Sequence, residues 1–245
     1  QNIFWLTDFE TVFRGMMLYA EHIYLDTNEH FRLGTTAEVE TRDDRFRKQC
    51  QAKYPLHKYE RSAPLLHKIR AVKHQIEIDQ LQIACNITEK GFRRVMNFVK
   101  PGVMEYEIEA EILHEFIRNR SNGFSFDPII ASGESACVLH YIDNNKPCKD
   151  GDLLLTDFGA TYANYNGDMT RCVPVNGRFS DRQKAVYNAV LRVKKAATKL
   201  LTIGTSILDY QTEVGKIMES ELIGLGLLDK HDVANQAETR QANKQ

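Results

Sequence analysis

The feature that most constrains the fold is a pair of strand-like segments separated by a short stretch of turn-forming residues. Residues 152–158 and 169–175 are rich in Leu, Thr, Val and Met, and turn-forming pairs precede them, Asp150-Gly151 and Asn166-Gly167. A third segment of this kind covers residues 124–131. The pattern therefore predicts three strands in the middle of the chain.

Helices are predicted on both sides of these strands, because apolar residues recur there mostly at steps of three to five. The third helix begins at Ser180 and the fourth after Ser206, and each serine has a polar residue three positions later, the spacing of a capping box. Helices and strands that segregate along the chain predict an α+β fold. The predicted helices cover residues 68–99, 105–118, 180–204 and 207–222.

The first 62 residues differ in pattern from the rest. Short strands are predicted over residues 4–6 and 22–26, and a charged helical stretch is predicted over residues 38–54, where Pro55 closes it. We interpret residues 1–62 as the remnant of a separate N-terminal α/β domain and residues 63–245 as the first part of a second domain.

The bulk composition excludes several classes of protein. With 42% hydrophobic residues, 27% charged residues and a formal net charge of -1, the chain is typical of a globular protein and lacks the basic excess that binds nucleic acid or an anionic membrane. No apolar run approaches the roughly 18 residues of a membrane span. Five scattered cysteines without a C-x-x-C pair favour reduced thiols and a cytoplasmic location. A homo-oligomer is left open.

A faint internal repeat predicts that the chain is cut short. Residues 103–106 and Glu109 match residues 207–210 and Glu213 at a constant offset, although a match this short can arise by chance. Strands follow the first copy. The second copy's equivalent of Asp157 would fall beyond Gln245, so we expect the corresponding strands to be missing from the chain.

Two aspartates on the strand pair are candidates for a chemical role. If the chain folds back at a two-residue loop formed by Tyr162-Ala163, Asp157 lies directly opposite Asp168 on one face. Opposed Cβ atoms are about 4.5–5.5 Å apart, so two ionised carboxylates there need a proton or a cation between them. A shared proton would make an aspartic dyad, and divalent cations would make a two-metal hydrolase site. The alternative is a local turn role beside glycine.

The residues around the two aspartates resemble those of a known family. The letters D-F-G at residues 157–159 and N-G-D-M-T-R at 166–171 put ten residues between two aspartates and a Thr-Arg pair after the second. This pattern resembles the first two metal ligands of the pita-bread metallopeptidases, the family of methionine aminopeptidase, prolidase and Xaa-Pro aminopeptidase. The long first helix, P-V-N-G-R-F-S at residues 174–180 and the preceding partial domain most resemble Xaa-Pro aminopeptidase.

The resemblance implies a fold and a metal site. The fold would be an incomplete pita-bread domain after a remnant of a creatinase-like N-terminal domain. The site would hold two divalent metal ions, with Asp157 chelating one and Asp168 bridging both. Carboxylate ligands favour Mn²⁺, with Co²⁺ and Zn²⁺ as alternatives. The implied substrate is a peptide with proline in second position.

A histidine upstream of the aspartates matches the family's substrate-pocket histidine. His140 lies 17 residues before Asp157, between S-G-E at residues 132–134 and Tyr141. The resemblance implies that this imidazole contacts the substrate or the reaction intermediate and does not bind metal. The alternative is a loop histidine without a function. We assign no role to four further histidines, His57, His67, His74 and His114.

The chain departs from the family pattern in one respect. The later histidine and two glutamates that complete the family's metal site are not matched, and the setting of His231 does not fit. We therefore expect a fragment that is inactive by itself. Two other functions stay open, a prolidase that cleaves Xaa-Pro dipeptides and a non-catalytic pita-bread module that serves as a binding surface.

Overall fold

The computed structural model describes residues 2–27, 40–231 and 233. The chain forms two compact units, the first ending at Ile78 and the second beginning at Asp79. The sequence predicted that the remnant of an N-terminal domain ends at residue 62, and this domain boundary stays a prediction. In the described part of the chain, no helix has both the length and the apolar character needed to cross a bilayer.

The first unit contains a parallel pair of strands, β1 and β2. Its helices pack through aromatic side chains: the ring centroids of Phe9 and Phe13 are 5.3 Å apart, and Phe46 lies 5.9 and 5.7 Å from them. Parallel strands with a helix between them in sequence agree with the predicted α/β character. The elements are α1 (Phe9–Met17), β1 (His22–Leu25), α2 (Arg42–Lys53), β2 (Lys58–Arg61) and α3 (Ala63–Ala71).

The elements predicted from the sequence only partly match this unit. The strand predicted at residues 4–6 is wrong, because a turn of 3-10 helix at Leu6–Asp8 leads directly into α1, which was not predicted. The charged helix begins later than expected, after Thr41, whose hydroxyl accepts from the Asp44 N–H at 3.2 Å. Residues 38 and 39 of that prediction lie outside the described residues. Strand β2 was not predicted because its sequence, K-Y-E-R, is polar.

The predicted long helix over residues 68–99 is two helices. Val72 adopts an extended conformation (φ -107°, ψ 115°), which ends α3. Helix α4 (Gln75–Phe98) then begins where the Glu77 carboxylate accepts from the His74 N–H at 2.8 Å. The other three helices are confirmed, with Ser180 and Ser206 as the predicted caps: α5 (Glu105–Arg118), α6 (Asp181–Leu200) and α7 (Ile207–Gly224).

Three antiparallel strands form the sheet of the second unit, with β4 at its centre. The strand predicted over residues 124–131 is wrong in its first half, where only an isolated bridge joins Phe124 to Ala160. Pro128 lacks the N–H that a ladder requires. The three strands of this sheet are β3 (Ile129–Ser132), β4 (Leu153–Phe158) and β7 (Met169–Pro174), and a separate two-stranded hairpin pairs β5 (Thr161–Tyr162) with β6 (Tyr165–Asn166).

The register of β4 and β7 differs by two residues from the prediction. Asp157 faces Thr170, so the expected direct opposition of Asp157 and Asp168 is wrong. The two-residue loop is Ala163-Asn164 instead of Tyr162-Ala163, and both loop residues have positive φ, 49° and 65°, as a type I′ hairpin requires. A slip of two residues keeps each side chain on its face, because the side-chain period of a strand is two.

The core of the second unit lies between β4 and the helices α4 and α5. Phe158 on β4 stacks on Phe92 of α4 with ring centroids 4.1 Å apart, and Phe116 of α5 lies 5.9 Å from Phe158. Leu154 and Thr156 are buried on the same face of β4 as Phe158. Asp157 consequently projects from the opposite face.

Replacing Phe116 with Ala should destabilise the protein by about 3–5 kcal/mol, because it removes a large side chain from a closely packed site. Phe116 is 0% exposed. The matched control is Tyr106→Ala on the same helix, where the side chain is 54% exposed and the change should cost under about 1 kcal/mol. Urea unfolding followed by circular dichroism measures both, and equal losses would contradict the described core.

Candidate functional site

Asp157 lies on the central strand of the sheet, between two cross-strand neighbours. Ile129 on β3 faces it on one side and Thr170 on β7 faces it on the other. The Thr170 hydroxyl donates to Asp157 Oδ1 at 2.8 Å. This bond orients the carboxylate and leaves Oδ2 available to a ligand.

Asp168 precedes β7 and is exposed. It lies two residues before Thr170, so it is the diagonal neighbour of Asp157. The chain around it approaches β4 closely, because Gly167 N–H donates to the Ala160 carbonyl at 2.8 Å. A Cβ on Gly159 would overlap the Gly167 carbonyl oxygen. Because glycine at position 159 has no Cβ, the segment that contains Asp168 can lie against the end of β4.

A buried threonine fixes this hairpin to helix α4. Thr88 is fully buried, and its hydroxyl donates to the Ala84 carbonyl at 2.8 Å and accepts from the Ala160 N–H at 2.9 Å. A Cβ on Gly167 would come within 2.6 Å of this hydroxyl oxygen. Helix α4 therefore positions the hairpin that carries both aspartates.

His140 comes from the segment between β3 and β4. It is exposed and has a φ of 54°, in the left-handed region that histidine adopts more often than most residues. The next residue, Tyr141, is buried, and its hydroxyl donates to Glu105 at 2.7 Å. Burial raises the pKa of Tyr141, and the bond to Glu105 adds to the rise. The Tyr141 hydroxyl therefore stays protonated at neutral pH and can donate this hydrogen bond.

The structure brings all three predicted site residues to one cleft of about 460 Å³. Aspartate and histidine side chains form its polar part, and a phenylalanine and two isoleucines form its apolar part. A cleft with a few convergent polar groups and an apolar wall is typical of a small-ligand site. The lining residues are Phe126, Asp127, Ile129, His140, Ile142, Asp157 and Asp168.

The donor atoms fit part of a divalent metal site. Asp157 and Asp168 offer carboxylate oxygens, which hard or borderline cations such as Mn²⁺ prefer. Among the described residues, however, no group of three or more His, Cys, Asp or Glu side chains is arranged to hold an ion, although four such residues line the cleft. The metal role of the two aspartates stays a prediction.

The sequence patterns missed part of the cleft and its support. Phe126 and Asp127 were included only in a predicted strand, and Ile142 lies in an irregular segment, so none of the three was identified as a site residue. Glu105, the first residue of the helix predicted over residues 105–118, was given no role, yet it is fully buried. Its spacing from Ile108 and Ile112 would have placed it on the buried face of α5.

Residues 79–239 match the model of metallopeptidase family M24. A similar curated protein is the Xaa-Pro aminopeptidase of Haemophilus influenzae, 44% identical over 170 residues, which are 69% of this chain and 39% of that protein. The Xaa-Pro dipeptidase of Rattus norvegicus is 35% identical over 67% of this chain and 35% of its own length. The chain thus spans less than half the length of these relatives.

Solved structures with the pita-bread fold superimpose on nearly the whole chain. The aminopeptidase PepP of Pseudomonas aeruginosa has a TM-score of 0.79 and 29% identity, covering 96% of this chain and 53% of its own. Zinc-substituted aminopeptidase P of Escherichia coli in complex with product has a TM-score of 0.77 and 32% identity, covering 95% and 54%. The expected pita-bread fold, incomplete in this chain, is confirmed.

Replacing Gly159 with Ala should destabilise the hairpin by about 1–3 kcal/mol or more, because the added methyl group meets backbone that cannot rotate away. The control is Gly215→Ala in α7, where a Cβ has nothing within 4 Å. That change should be neutral or stabilising by up to about 1 kcal/mol. Thermal unfolding distinguishes the two, and an unaffected Gly159→Ala protein would argue against the close approach.

Proposed function

The chain belongs to metallopeptidase family M24, and on that premise we propose that the protein containing it is an Xaa-Pro aminopeptidase. This enzyme would release the N-terminal residue of a peptide with proline in second position, using two divalent metal ions. The observation that carries the proposal is the meeting of Asp157, Asp168 and His140 at one cleft. The Xaa-Pro aminopeptidase of Haemophilus influenzae, among the relatives, supports the substrate class.

The roles follow from the surroundings of each side chain. Asp157 and Asp168 would hold the metal ions, and Thr170 would keep the Asp157 carboxylate oriented through its hydrogen bond to Oδ1. Bound metal supplies a water of lowered pKa and polarises the scissile carbonyl. The chain covers 39% of the Haemophilus influenzae relative, and the remaining ligands and the general base would come from the part of such a protein that the chain does not cover.

His140 would act on the substrate from the rim of the cleft. A neutral imidazole has one N–H, and this group would donate to the carbonyl oxygen of the scissile bond as negative charge develops there. The apolar side chains of Phe126, Ile129 and Ile142 would exclude water from the same region. Manganese is the proposed metal, with cobalt and zinc as alternatives, and cytoplasmic location stays a prediction from the scattered cysteines.

A prolidase is the second candidate, because the dipeptidase of Rattus norvegicus is 35% identical to this chain. The two candidates differ in the length of substrate they accept. Hydrolysis of a tripeptide with proline in second position supports the aminopeptidase, and hydrolysis of the Xaa-Pro dipeptide alone supports the prolidase. A non-catalytic module is disfavoured by the two carboxylates at family spacing, and activity toward neither peptide would favour it.

The chain of 245 residues by itself should bind Mn²⁺ weakly and lack peptidase activity. Two carboxylates are too few ligands for a closed dinuclear site, and water would have to complete each coordination shell. Isothermal titration calorimetry measures the affinity. Tight binding of two ions per chain would contradict the proposed division of ligands.

In the complete protein, Asp157→Ala or Asp168→Ala should reduce metal content and activity together, because these residues hold the cation. His140→Ala should instead lower kcat by about 10²–10³ while metal content stays unchanged, as loss of one oxyanion donor typically does. His114→Ala, an exposed histidine on α5, is the matched control and should have little effect. Metal analysis with steady-state kinetics decides, and metal loss in His140→Ala would mean that His140 is a ligand.

A further inference from the structure

A buried glutamate lies beneath the segment that carries His140. Glu105 is the first residue of α5 and is 0% exposed. Its Oε1 accepts from the Ser132 N–H at 2.8 Å, and its Oε2 accepts from the Tyr141 hydroxyl at 2.7 Å and the Lys146 N–H at 2.9 Å. The carboxylate is the acceptor in all three bonds, which is the only role that an ionised carboxylate can take.

These three donors bracket the His140 segment. Ser132 ends β3, Tyr141 directly follows His140, and Lys146 precedes the approach to β4. The main chain adds a link, since the Glu105 N–H donates to the Lys146 carbonyl at 3.0 Å. One side chain thus holds both ends of the segment and the residue next to the proposed catalytic histidine.

Asn144, which belongs to the segment itself, provides a second link to the same helix. Its side chain accepts from the Ile130 N–H at 2.9 Å and donates to the Glu109 carboxylate at 2.8 Å and to the Pro128 carbonyl at 2.9 Å. The segment is therefore tied to two carboxylates of α5, Glu105 and Glu109, which lie one turn apart on the helix.

Burial does not hold Leu139 and His140 in place. Leu139 is 92% exposed, and His140 is exposed as well. His140 and Asn144 both have positive φ, 54° and 44°, a conformation that costs free energy and persists where the surroundings impose it. The bond that Tyr141 donates to Glu105 and the three bonds of Asn144 restrain the backbone in this conformation.

We propose that Glu105 is a positioning residue for His140: by accepting hydrogen bonds from Ser132, Tyr141 and Lys146, it holds the imidazole at the cleft that Asp157 and Asp168 line. This role rests on the proposed function only for what His140 does to the substrate. The restraint on the segment stands independently of activity.

Glu105→Gln tests the proposal with little change in volume. One carboxylate oxygen becomes an NH₂ group, so in either amide orientation at least one of the three donors loses its acceptor. A shift of about 1 Å at a catalytic group can cost about 10²-fold, so kcat should fall about 10- to 100-fold at unchanged metal content. Glu111→Gln, on the same helix and paired with Arg94, is the matched control and should leave kcat within about twofold.

A double-mutant cycle separates positioning from a general loss of structure. In the metal-loaded complete protein with a proline-containing tripeptide, Glu105→Gln should lower kcat by less than about threefold once His140 is already Ala, because the two residues act as one unit. The same loss in both backgrounds would overturn the proposal. If Glu105→Gln fails to fold, Tyr141→Phe, which keeps the carboxylate and removes one bond, enters the same cycle with the same two outcomes.

Hydrogen exchange gives a readout that does not need activity. Glu105→Gln should speed amide exchange at residues 138–146, whereas Glu111→Gln should not. Unchanged exchange would overturn the proposal even in an active enzyme. If the wild-type protein cleaves neither peptide, the proposed function is wrong, and the exchange measurement alone then decides whether Glu105 restrains His140.

Discussion

The burial of Phe158 between helices α4 and α5 is the contact on which the rest of the second unit depends. Its ring stacks on that of Phe92 with centroids 4.1 Å apart and lies near Phe116. These contacts determine which face of β4 packs against the helices. Successive side chains on a strand point to opposite faces. Asp157, the neighbour of Phe158, must therefore project into the cleft. It could face the core only if Phe158 left the aromatic cluster.

The same two helices also position the other cleft residues. Thr88 of α4 binds the Ala160 N–H and packs against Gly167, which holds the segment leading to Asp168. Glu105 of α5 binds the segment that carries His140. Three side chains from separate parts of the chain thus meet at one cleft because each backbone segment is tied to the helical layer behind the sheet. Polar groups form these ties, and each is fully buried, so leaving one unsatisfied would be costly.

The sequence predicted best where local chemistry decides the structure. Apolar periodicity predicted helices α5, α6 and α7, and serine caps marked the starts of α6 and α7. It failed where distant contacts decide: the turn at Ala163-Asn164 places an alanine at positive φ, which no residue preference indicates, so the register was wrong by two residues. Asp157 and Asp168 still came to the same cleft, because a slip of two preserves the face. The three partners of Glu105 could not be predicted because they lie 27 to 41 positions away in sequence.

Anomalous diffraction from crystals of the complete protein grown with Mn²⁺ would show whether Asp157 and Asp168 hold the metal. The account predicts metal density in the cleft bounded by Phe126 and Ile142, with carboxylate oxygens of both Asp157 and Asp168 among its ligands. His140 should lie beside the metal without binding it. Ordered Mn²⁺ that contacts neither aspartate, or that takes His140 as a ligand in place of one of them, would contradict the account.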